Sequence, residues 1–381
     1  MAIEKIHIEQ FLELAKQHPV LDVRSPGEYL HAHIPGAHSL PLFTDEERKM
    51  VGTAYKQESR EQAIKIGLDF FGVKMKKMVE EVEKLLIQSS ELSATNSELR
   101  TANSKTVLVH CWRGGMRSAG VAWLLDLYGF KIYTLIGGYK KFRQFVLETF
   151  TLPFQFNILG GYTGSGKTEL LKALKEKGEK IIDLEGIANH KGSAFGSIGM
   201  SPQPGQEMFE NLLSIELRCK SMVNSEWSNK VASHSPLTIH YSPLWLEDES
   251  QRIGQVNIPH ELWKSMRQSP VYFLDIPFKE RLKHIVQEYG QLDPEKVTDA
   301  INRISQKLGH LNAKKAILLL NEGKIAESFD ILLHYYDKHY FKSLHNREGI
   351  NSLLHTVNCK SVIPENADPL LLARQQEFEK A

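Results

Sequence analysis

The sequence has few cysteines, no long apolar run and no excess of charge of either sign. Its 381 residues include three cysteines, too few for a disulfide framework, so we expect reduced thiols and a cytoplasmic protein. The longest apolar runs, such as residues 316–320, fall far short of the ~20 residues that a membrane helix needs, and no membrane partner is expected. The 47 Lys and Arg residues balance 46 Asp and Glu residues, which excludes a polycation that holds nucleic acid by net charge alone.

The order of strands and helices predicts a parallel α/β fold in two or three domains. Short buried strands alternate with amphipathic helices on both sides of a change in composition near Pro153. From Pro294 onward the pattern is helical, without a convincing strand before Leu354. We therefore expect a first domain at residues 1–148 with a polar insertion at about 89–104, a second at 153–290, and a helical C-terminal region at 291–381.

Cys111 lies in a loop that favours a reactive thiolate. The segment His110-Cys-Trp-Arg-Gly-Gly-Met-Arg-Ser118 follows a predicted strand and precedes a predicted helix. Its glycines let backbone N–H groups turn toward one point, and Arg117 and the helix N-terminus add positive charge. Because these features lower the pKa of a thiol, the loop suits a nucleophilic sulfur that carries a second chalcogen atom. A buried structural thiol is the alternative, and it is what we expect for Cys219 and Cys359.

Residues 161–168, Gly-Tyr-Thr-Gly-Ser-Gly-Lys-Thr, match the phosphate-binding motif G-x-x-x-x-G-K-[ST] in full. The motif lies between a predicted strand and a predicted helix, where backbone N–H groups can bind phosphate oxygens. Lys167 adds a positive charge, and Thr168 can bind Mg²⁺. The motif indicates a bound diphosphate but not the identity of a nucleotide. The expected binding residues are Gly161, Gly164, Ser165, Gly166, Lys167 and Thr168.

Acidic residues follow two predicted strands, at 181–182 and 244–246, on the side where the phosphate loop is expected. One of those after the second strand can orient Mg²⁺, as a Walker-B acid does, but helix capping or solvated charge explains each residue equally well. The Gly-rich polar segment 189–196 is either a substrate loop or a surface loop. The candidates for substrate binding or metal orientation are Asp183, Glu185, Asn189, His190, Glu247 and Asp248.

Residues 1 to about 145 resemble a rhodanese domain. That family's early pattern is Asp-x-Arg, then Glu-Tyr, then His-Ile-Pro-Gly-Ala, found here at residues 22–24, 28–29 and 33–37. The glycine usual before the His is Ala32. The resemblance implies that Cys111 carries a persulfide cradled by backbone amides and that Arg117 stabilises the loop. It implies a structural ion pair or turn contact for Asp22 and Arg24.

The two halves together resemble the tRNA 2-selenouridine synthases over about residues 10–340. Besides the two loops, the resemblance rests on residues 51–56, 183–193, 203–204, 209–211 and 247–254, and it adds Arg252 to the candidates. Residues 89–104 and 228–242 look like insertions relative to the family, and neither touches a motif.

The resemblance implies a chemistry in two steps on the wobble uridine of tRNA. The family replaces the sulfur of 2-thiouridine with selenium from selenophosphate, through an S-geranyl-2-thiouridine made from geranyl diphosphate. The phosphate loop, with Lys167 and residues 164–168, would then hold a prenyl diphosphate, and Cys111 would act in the selenium step. No tightly bound cofactor is implied, while Mg²⁺ and a selenophosphate-supplying enzyme are compatible with the scheme.

A tRNA partner requires local basic surface, because phosphate contacts supply most of the affinity for RNA. Three tyrosines on the C-terminal helices could stack on bases, although they could equally be core residues. The candidate basic residues are Lys74, Lys76, Lys77 and Lys84, then Lys140, Lys141 and Arg143, then Arg303, Lys307, His310, Lys314 and Lys315, and the tyrosines are Tyr335, Tyr336 and Tyr340.

Two other functions compete with this interpretation. The motifs alone fit an ATP-dependent tRNA sulfurtransferase, in which the phosphate-loop domain activates a substrate and Cys111 supplies sulfur. They also fit a nucleotide-gated redox sensor whose Cys111 is oxidised. Turnover of ATP that depends on tRNA would favour the first, and reversible oxidation without a tRNA product would favour the second.

Overall fold

A computed structural model describes residues 3–93, 105–221 and 242–378. The chain divides into two compact units, Met1–Glu148 and Thr149–Ala381. The two expected insertions, 89–104 and 228–242, lie mostly outside the described residues. Residues 89–93, at the end of a helix, and residue 242 are the parts that the structure describes. Among the described helices, none combines the length and the apolar character that crossing a membrane would require.

The first unit is built on five parallel strands. Its strands are β1 (Ile3–Ile6), β2 (Val20–Asp22), β3 (His38–Ser39), β4 (Thr106–His110) and β5 (Lys131–Leu135), and its helices are α1 (Ile8–Leu14), α2 (Pro26–His31), α3 (Asp45–Gln57), α4 (Arg60–Gly72), α5 (Met75–Ser93), α6 (Met116–Leu127) and α7 (Gly138–Thr149). The strand order is β1-β5-β4-β2-β3. Every residue of β4 is buried, as expected for a central strand of a parallel sheet that helices cover. Cys111 therefore follows the middle strand directly.

The second unit is also built on five parallel strands. They are β6 (Phe156–Gly161), β7 (Ile181–Ile182), β8 (Leu244–Glu247), β11 (Val271–Asp275) and β12 (Leu354–Asn358), with a separate hairpin of β9 (Arg252–Ile253) and β10 (Val256–Asn257). The order is β12-β11-β6-β8-β7. The phosphate loop leaves the central strand, β6, as ligand loops commonly do in such sheets.

Helices cover this sheet and form an additional layer. They are α8 (Lys167–Glu176), α9 (Leu184–Ala188), α10 (Gln206–Ser221), α11 (His260–Arg267), α12 (Phe278–Tyr289), α13 (Pro294–Leu308), α14 (His310–Asn321), α15 (Ile325–His345), α16 (Ile350–Leu353) and α17 (Ala367–Phe378). Helices α12 to α15 share one apolar core, into which Phe195 inserts. Residues 291–381 are thus largely helical, but they also supply β12, which pairs in parallel with β11.

The structure confirms the parallel α/β architecture predicted from the sequence. The cysteine loop and the phosphate loop each lie between a strand and a helix, as predicted. Strands β1, β3, β9 and β10 have no sequence prediction, because two to four residues are too few to show a period.

Arg24 and Asp22 form a buried ion pair in the first unit, near the cysteine loop. Arg24 Nη2 lies 2.6 Å from Asp22 Oδ2, and neither side chain is more than 1% exposed. The same nitrogen donates to the carbonyl oxygen of Ala32, and the guanidinium lies 3.9 Å from the ring centroid of Tyr139. The pair therefore joins the end of β2 to the start of α7, and it is the ion pair that the sequence suggested.

Replacement of Arg24 by alanine is expected to destabilise the first unit strongly. It leaves Asp22 buried without a counter-charge, which costs about 3–5 kcal/mol. Urea unfolding of the full chain should show an earlier first transition. Lys16→Ala is the control, because its ion pair with Glu13 is exposed and contributes about 0–1 kcal/mol. Equal shifts in the two variants would contradict this account.

Candidate active site

Hydrogen-bond donors surround the sulfur of Cys111. The residue lies between β4 and the N-terminus of α6 and is 3% exposed. Ser118 Oγ lies 3.3 Å from its Sγ. Backbone N–H groups of Arg113, Gly115 and Ser118 also donate to the sulfur. This cradle of donors matches the sequence expectation of a loop that stabilises a negatively charged sulfur.

The cradle changes the acidity of the thiol. Burial raises the pKa of Cys111, but the hydrogen bonds from the Ser118 hydroxyl and the backbone N–H groups outweigh it and place the pKa below its ordinary value. Of the two cysteines expected to be buried, Cys359 is buried, whereas Cys219 is exposed on α10, so that expectation is wrong for Cys219. At Cys359 burial raises the pKa, and the nearby Asp275 carboxylate raises it further. The two buried cysteines therefore differ in the direction of their shift, and Cys111 is the one poised as a nucleophile.

The shape of the cysteine loop depends on close backbone packing against the start of α7. Gly114 and Gly138 adopt positive φ angles of 64° and 58°. A Cβ at Gly138 would clash with the carbonyl oxygen of Cys111, and one at Gly114 would lie 2.6 Å from the carbonyl oxygen of Leu135. Tyr139 N–H donates to Cys111 O at 2.8 Å. Glycine at these two positions therefore makes the loop possible.

Arg117 acts on the loop through its helix. Its Nη1 donates to Glu28 Oε2 at 2.7 Å, which ties α6 to α2. Burial raises the pKa of Glu28, but the hydrogen bond and the charge of Arg117 outweigh it, and the pKa falls to about 2. The structure thus places Arg117 in an ion pair with Glu28. In the sequence, Glu28 stood out only as part of the rhodanese pattern at residues 28–29.

The phosphate loop lies between β6 and α8 in the form that the motif predicts. Gly164 and Gly166 adopt positive φ angles of 81° and 71°, and a Cβ at Gly161 would lie 2.6 Å from Ser165 Oγ. Lys167 Nζ donates to the carbonyl oxygen of Gly161 at 3.3 Å and so folds back over the loop. Ser165 Oγ is buried without a hydrogen-bond partner. The loop therefore presents N–H groups, a cation and a free hydroxyl.

A pair of carboxyl groups lies beside the loop. Thr168 Oγ1 donates to Glu185 Oε2 at 3.2 Å, and Glu185 is hydrogen-bonded to Glu249. Burial and, next, the Glu185 carboxylate raise the pKa of Glu249 to about 8. Glu249 therefore holds the shared proton at neutral pH and donates it to Glu185. Glu249 is one of the three acids after the predicted strand 244–246 that the sequence offered for Mg²⁺ orientation, but it was not among the candidate residues chosen.

The two acids before Glu249, at the end of β8, already have hydrogen-bond partners within the protein. Glu247 is fully buried, accepts the N–H of Leu184 at 3.1 Å, and has a pKa that burial raises well above its ordinary value. Asp248 accepts hydrogen bonds from Arg347 at one oxygen and from Tyr340, at 2.8 Å, at the other. Neither has the free carboxylate that would activate a water molecule.

Tyr340 connects the C-terminal helices to the phosphate loop. Gly161 N–H donates to its hydroxyl oxygen at 3.1 Å, and the hydroxyl in turn donates to Asp248. Tyr336 accepts the N–H of Ala194 and packs against Phe195. These two tyrosines, considered above for base stacking, thus make contacts inside the unit. No local signal in the sequence pairs residues 161 and 340.

Three of the other sequence candidates make local structural contacts. Asp183 caps α9 by accepting the N–H of Gly186. Asn189 ends that helix with φ 49° and donates to Pro202 O, and Arg252 donates to Gly254 O within the hairpin. His190 is 9% exposed, and burial lowers its pKa, so the ring is neutral at pH 7.

The described residues include no group of three or more His, Cys, Asp or Glu side chains that could hold a metal ion. Mg²⁺ usually keeps water ligands and takes others from bound phosphates. Thr168 Oγ1 and Glu185 Oε2, 3.2 Å apart, are the oxygen atoms beside the loop that suit such an ion.

Residues 189–196, here called the 189–196 loop, run from these carboxyl groups to the helical layer. At Gly192 an added Cβ would lie 2.5 Å from Glu249 Oε2. Two residues later, Ala194 O accepts a hydrogen bond from Arg303 at 2.9 Å, and Phe195 is buried among the helices. The loop therefore links the phosphate site to α13.

Two family models match the chain. The model described as the tRNA 2-selenouridine synthase AAA domain matches residues 154–363, and the rhodanese-like domain model matches residues 7–145. Their boundary falls where the structure divides into two units.

Curated proteins called tRNA 2-selenouridine synthase are similar over most of the chain. The Pseudomonas putida (strain GB-1) protein is 35% identical over 71% of this chain and 65% of its own length. The Bdellovibrio bacteriovorus protein is 34% identical over 76% of this chain and 69% of its own length. The protein from Pseudomonas syringae pv. tomato is 31% identical over 84% of this chain and 89% of its own. The chain thus spans slightly less than two thirds of the first of these proteins and more of the other two.

Among solved structures, the N-terminal domain of a putative ATP/GTP binding protein from Clostridium difficile 630 is 37% identical. The match covers 38% of this chain and 99% of that one, with a TM-score of 0.31. A Saccharomyces cerevisiae homologue of single-domain rhodanese and the Cdc25 phosphatase catalytic domain is 13% identical over 39% of this chain and 84% of that one, with a TM-score of 0.23.

Ser118→Ala should make Cys111 less reactive at neutral pH. It removes a hydrogen bond that lowers the pKa of the thiol, so the pKa rises and the thiolate fraction at pH 7 falls. The rate of iodoacetamide alkylation at Cys111, followed by peptide mass spectrometry across pH 5–10, measures this. Cys359 in the same sample is the internal control. An unchanged pH profile at Cys111 would contradict the role given to Ser118.

Tyr340→Phe should weaken anion binding at the phosphate loop. The variant leaves Gly161 N–H and one oxygen of Asp248 without their partner, which costs about 1–3 kcal/mol. We expect inorganic pyrophosphate, titrated by calorimetry with Mg²⁺ present, to bind about tenfold more weakly. Tyr335→Phe is the matched control, because the ring of Tyr335 packs against Tyr336 and His339 and these ring contacts remain when the hydroxyl is removed. Equal pyrophosphate affinity in both variants would overturn the link.

Proposed function

The chain belongs to the tRNA 2-selenouridine synthase family, and we propose that it replaces the 2-thio sulfur of the tRNA wobble uridine with selenium. The observation that carries this proposal is the donor cradle around Cys111 in a chain that also has a complete phosphate loop. One site suits an anionic chalcogen and the other suits a diphosphate, and the reaction needs both.

In the first step the phosphate loop binds geranyl diphosphate. The 2-thio sulfur attacks the geranyl carbon, a C–S bond forms, the C–O bond to diphosphate breaks, and the uridine loses its N3 proton. Diphosphate leaves with added negative charge, which Lys167 and the N–H groups of residues 164–168 stabilise. The product is S-geranyl-2-thiouridine, whose sulfur now departs as a thiol, whereas a thiocarbonyl sulfur is a poor leaving group.

In the second step selenium from selenophosphate takes the place of the geranylated sulfur. The selenium forms a bond to C2 of the uridine as the C–S bond to the geranylated sulfur breaks. Cys111 acts here as a nucleophile toward the selenium donor: its thiolate takes the phosphoryl group as the P–Se bond breaks, and water then releases phosphate. The cradle supports this role because its hydrogen bonds stabilise an anion on the sulfur or on an atom attached to it. Geranyl thiol is the expected second product.

The acids beside the phosphate loop favour departure of a diphosphate over hydrolysis of ATP. Glu247 is buried, which raises its pKa well above the ordinary value, and Asp248 is held by Tyr340 and Arg347. Neither is set to orient a water molecule. Mg²⁺, bound through Thr168 and the diphosphate itself, would neutralise part of the phosphate charge.

We also propose that the reaction takes place in the cytoplasm. The mechanism needs Cys111 as a thiol, and a reducing compartment maintains it. The cysteine is free in the structure. An enzyme that supplies selenophosphate is the expected metabolic partner.

Two substitutions should separate the steps. Lys167→Ala is expected to abolish geranylation but to leave selenation of pre-geranylated tRNA intact. Cys111→Ala should block selenation and let the S-geranyl nucleoside accumulate. Nucleoside mass spectrometry after incubation of 2-thiouridine tRNA with geranyl diphosphate, Mg²⁺ and selenophosphate measures both products.

The controls are Lys172→Ala, an exposed lysine of α8, and Cys219→Ala, an exposed cysteine. Both should retain the full reaction. Equal loss of both steps in Cys111→Ala would contradict the division of labour. Sulfur transfer that depends on ATP hydrolysis, with no geranyl adduct, would replace the proposal with the ATP-dependent sulfurtransferase.

A further inference from the structure

The outer side of α13 and α14 is basic. Lys307 lies in the last turn of α13, and His310, Lys314 and Lys315 lie on α14, all exposed. Residues three and four apart share one side of a helix, so Lys314 lies beside His310, one turn along. The sequence of α14 contains no Asp or Glu. The α13–α14 face is defined here as Arg303, Lys307, His310, Lys314 and Lys315.

The charges of this face are not locally neutralised, unlike those of another basic segment of the sequence. On α5, Lys76 and Lys77 each pair with a glutamate one turn along. Within the described residues, Lys307, Lys314 and Lys315 have no ion pair. Three uncompensated ammonium groups on adjoining helices produce a local positive potential although the net charge of the whole chain is only +1.

Two leucines are exposed among these cations. Leu311 is 85% exposed and Leu318 is 58% exposed. The opposite side of α14, with Ala313, Ala316 and Leu320, is already buried in the helical core. The exposed leucines are therefore additional to the core, and they give the face apolar contacts beside its charges.

The α13–α14 face is linked to the phosphate site by hydrogen bonds and packing within the second unit. Arg303 donates to Ala194 O in the 189–196 loop. The same loop passes Glu249 at Gly192, and Glu249 is bonded to Glu185 beside Thr168. A ligand on the face would therefore lie one short loop away from the diphosphate.

We propose that the α13–α14 face binds the phosphate backbone of the tRNA substrate. This inference rests on the proposed function, and it adds the surface that receives the substrate. Uncompensated lysines provide the contacts that dominate RNA affinity, and the exposed leucines can pack on ribose or base surfaces. A membrane surface fits less well, because two leucines provide far less apolar area than an interfacial helix buries.

The test uses the full-length triple variant Lys307→Ala, Lys314→Ala, Lys315→Ala. Its side chains are exposed, so the fold should be retained, and circular dichroism together with pyrophosphate affinity checks this. Fluorescence anisotropy with a labelled 2-thiouridine tRNA at several salt concentrations measures binding. We expect at least about tenfold weaker binding of the tRNA at low salt. The slope of log affinity against log salt concentration should fall by about two to three, from three lost phosphate contacts.

The matched control removes the same number of charges from α5 by Lys76→Ala, Lys77→Ala, Lys84→Ala, and should bind tRNA like the wild type. If the triple variant of the face binds with unchanged affinity and salt slope, the docking proposal is overturned while the proposed function stands. Wild-type protein that binds no tRNA would overturn both. Loss of binding to anionic phosphatidylserine vesicles, with tRNA binding intact, would assign the face to a membrane and overturn the proposal.

Discussion

The stabilisation of negative charge by backbone N–H groups at the start of a helix is the interaction on which both sites depend. In the first unit the groups before and within α6 converge on Cys111, and in the second those before α8 form the phosphate loop. Each helix follows the central strand of a parallel sheet. Glycines with positive φ let the backbone come this close. The two units thus use one physical device for two different anions, a chalcogen and a diphosphate.

Charged side chains around these loops mostly orient the backbone rather than face a ligand. Arg117 ties α6 to α2 through Glu28, and Arg347 holds Asp248 beside Tyr340. Burial raises the pKa of Glu247, and burial together with the Glu185 carboxylate raises that of Glu249 to about 8, which reduces the negative charge that an incoming diphosphate meets. Lys167 is therefore the charged residue that is placed to contact phosphate, as the motif predicts. Its hydrogen bond to Gly161 O is one that a bound diphosphate could displace.

The sequence predicted the parts of the sites that are local in the chain. The cysteine loop and the phosphate loop each lie between one strand and one helix, so spacing alone indicates their geometry. The contacts that couple distant segments left no such pattern. Tyr340 meets Gly161 across 179 positions, and Arg117 meets Glu28 across 89. Asp183 and Arg252 show the opposite case. The acidic residue type suggested binding for Asp183 and the family resemblance suggested it for Arg252, whereas the structure gives them a helix cap and a turn contact.

The most direct measurement is nucleoside mass spectrometry of 2-thiouridine tRNA incubated with the wild-type protein, Mg²⁺ and geranyl diphosphate, with and without selenophosphate. The account predicts an S-geranyl adduct without selenophosphate and its conversion to 2-selenouridine when selenophosphate is added. Absence of both nucleosides, under conditions in which the protein binds tRNA, would contradict the central claim.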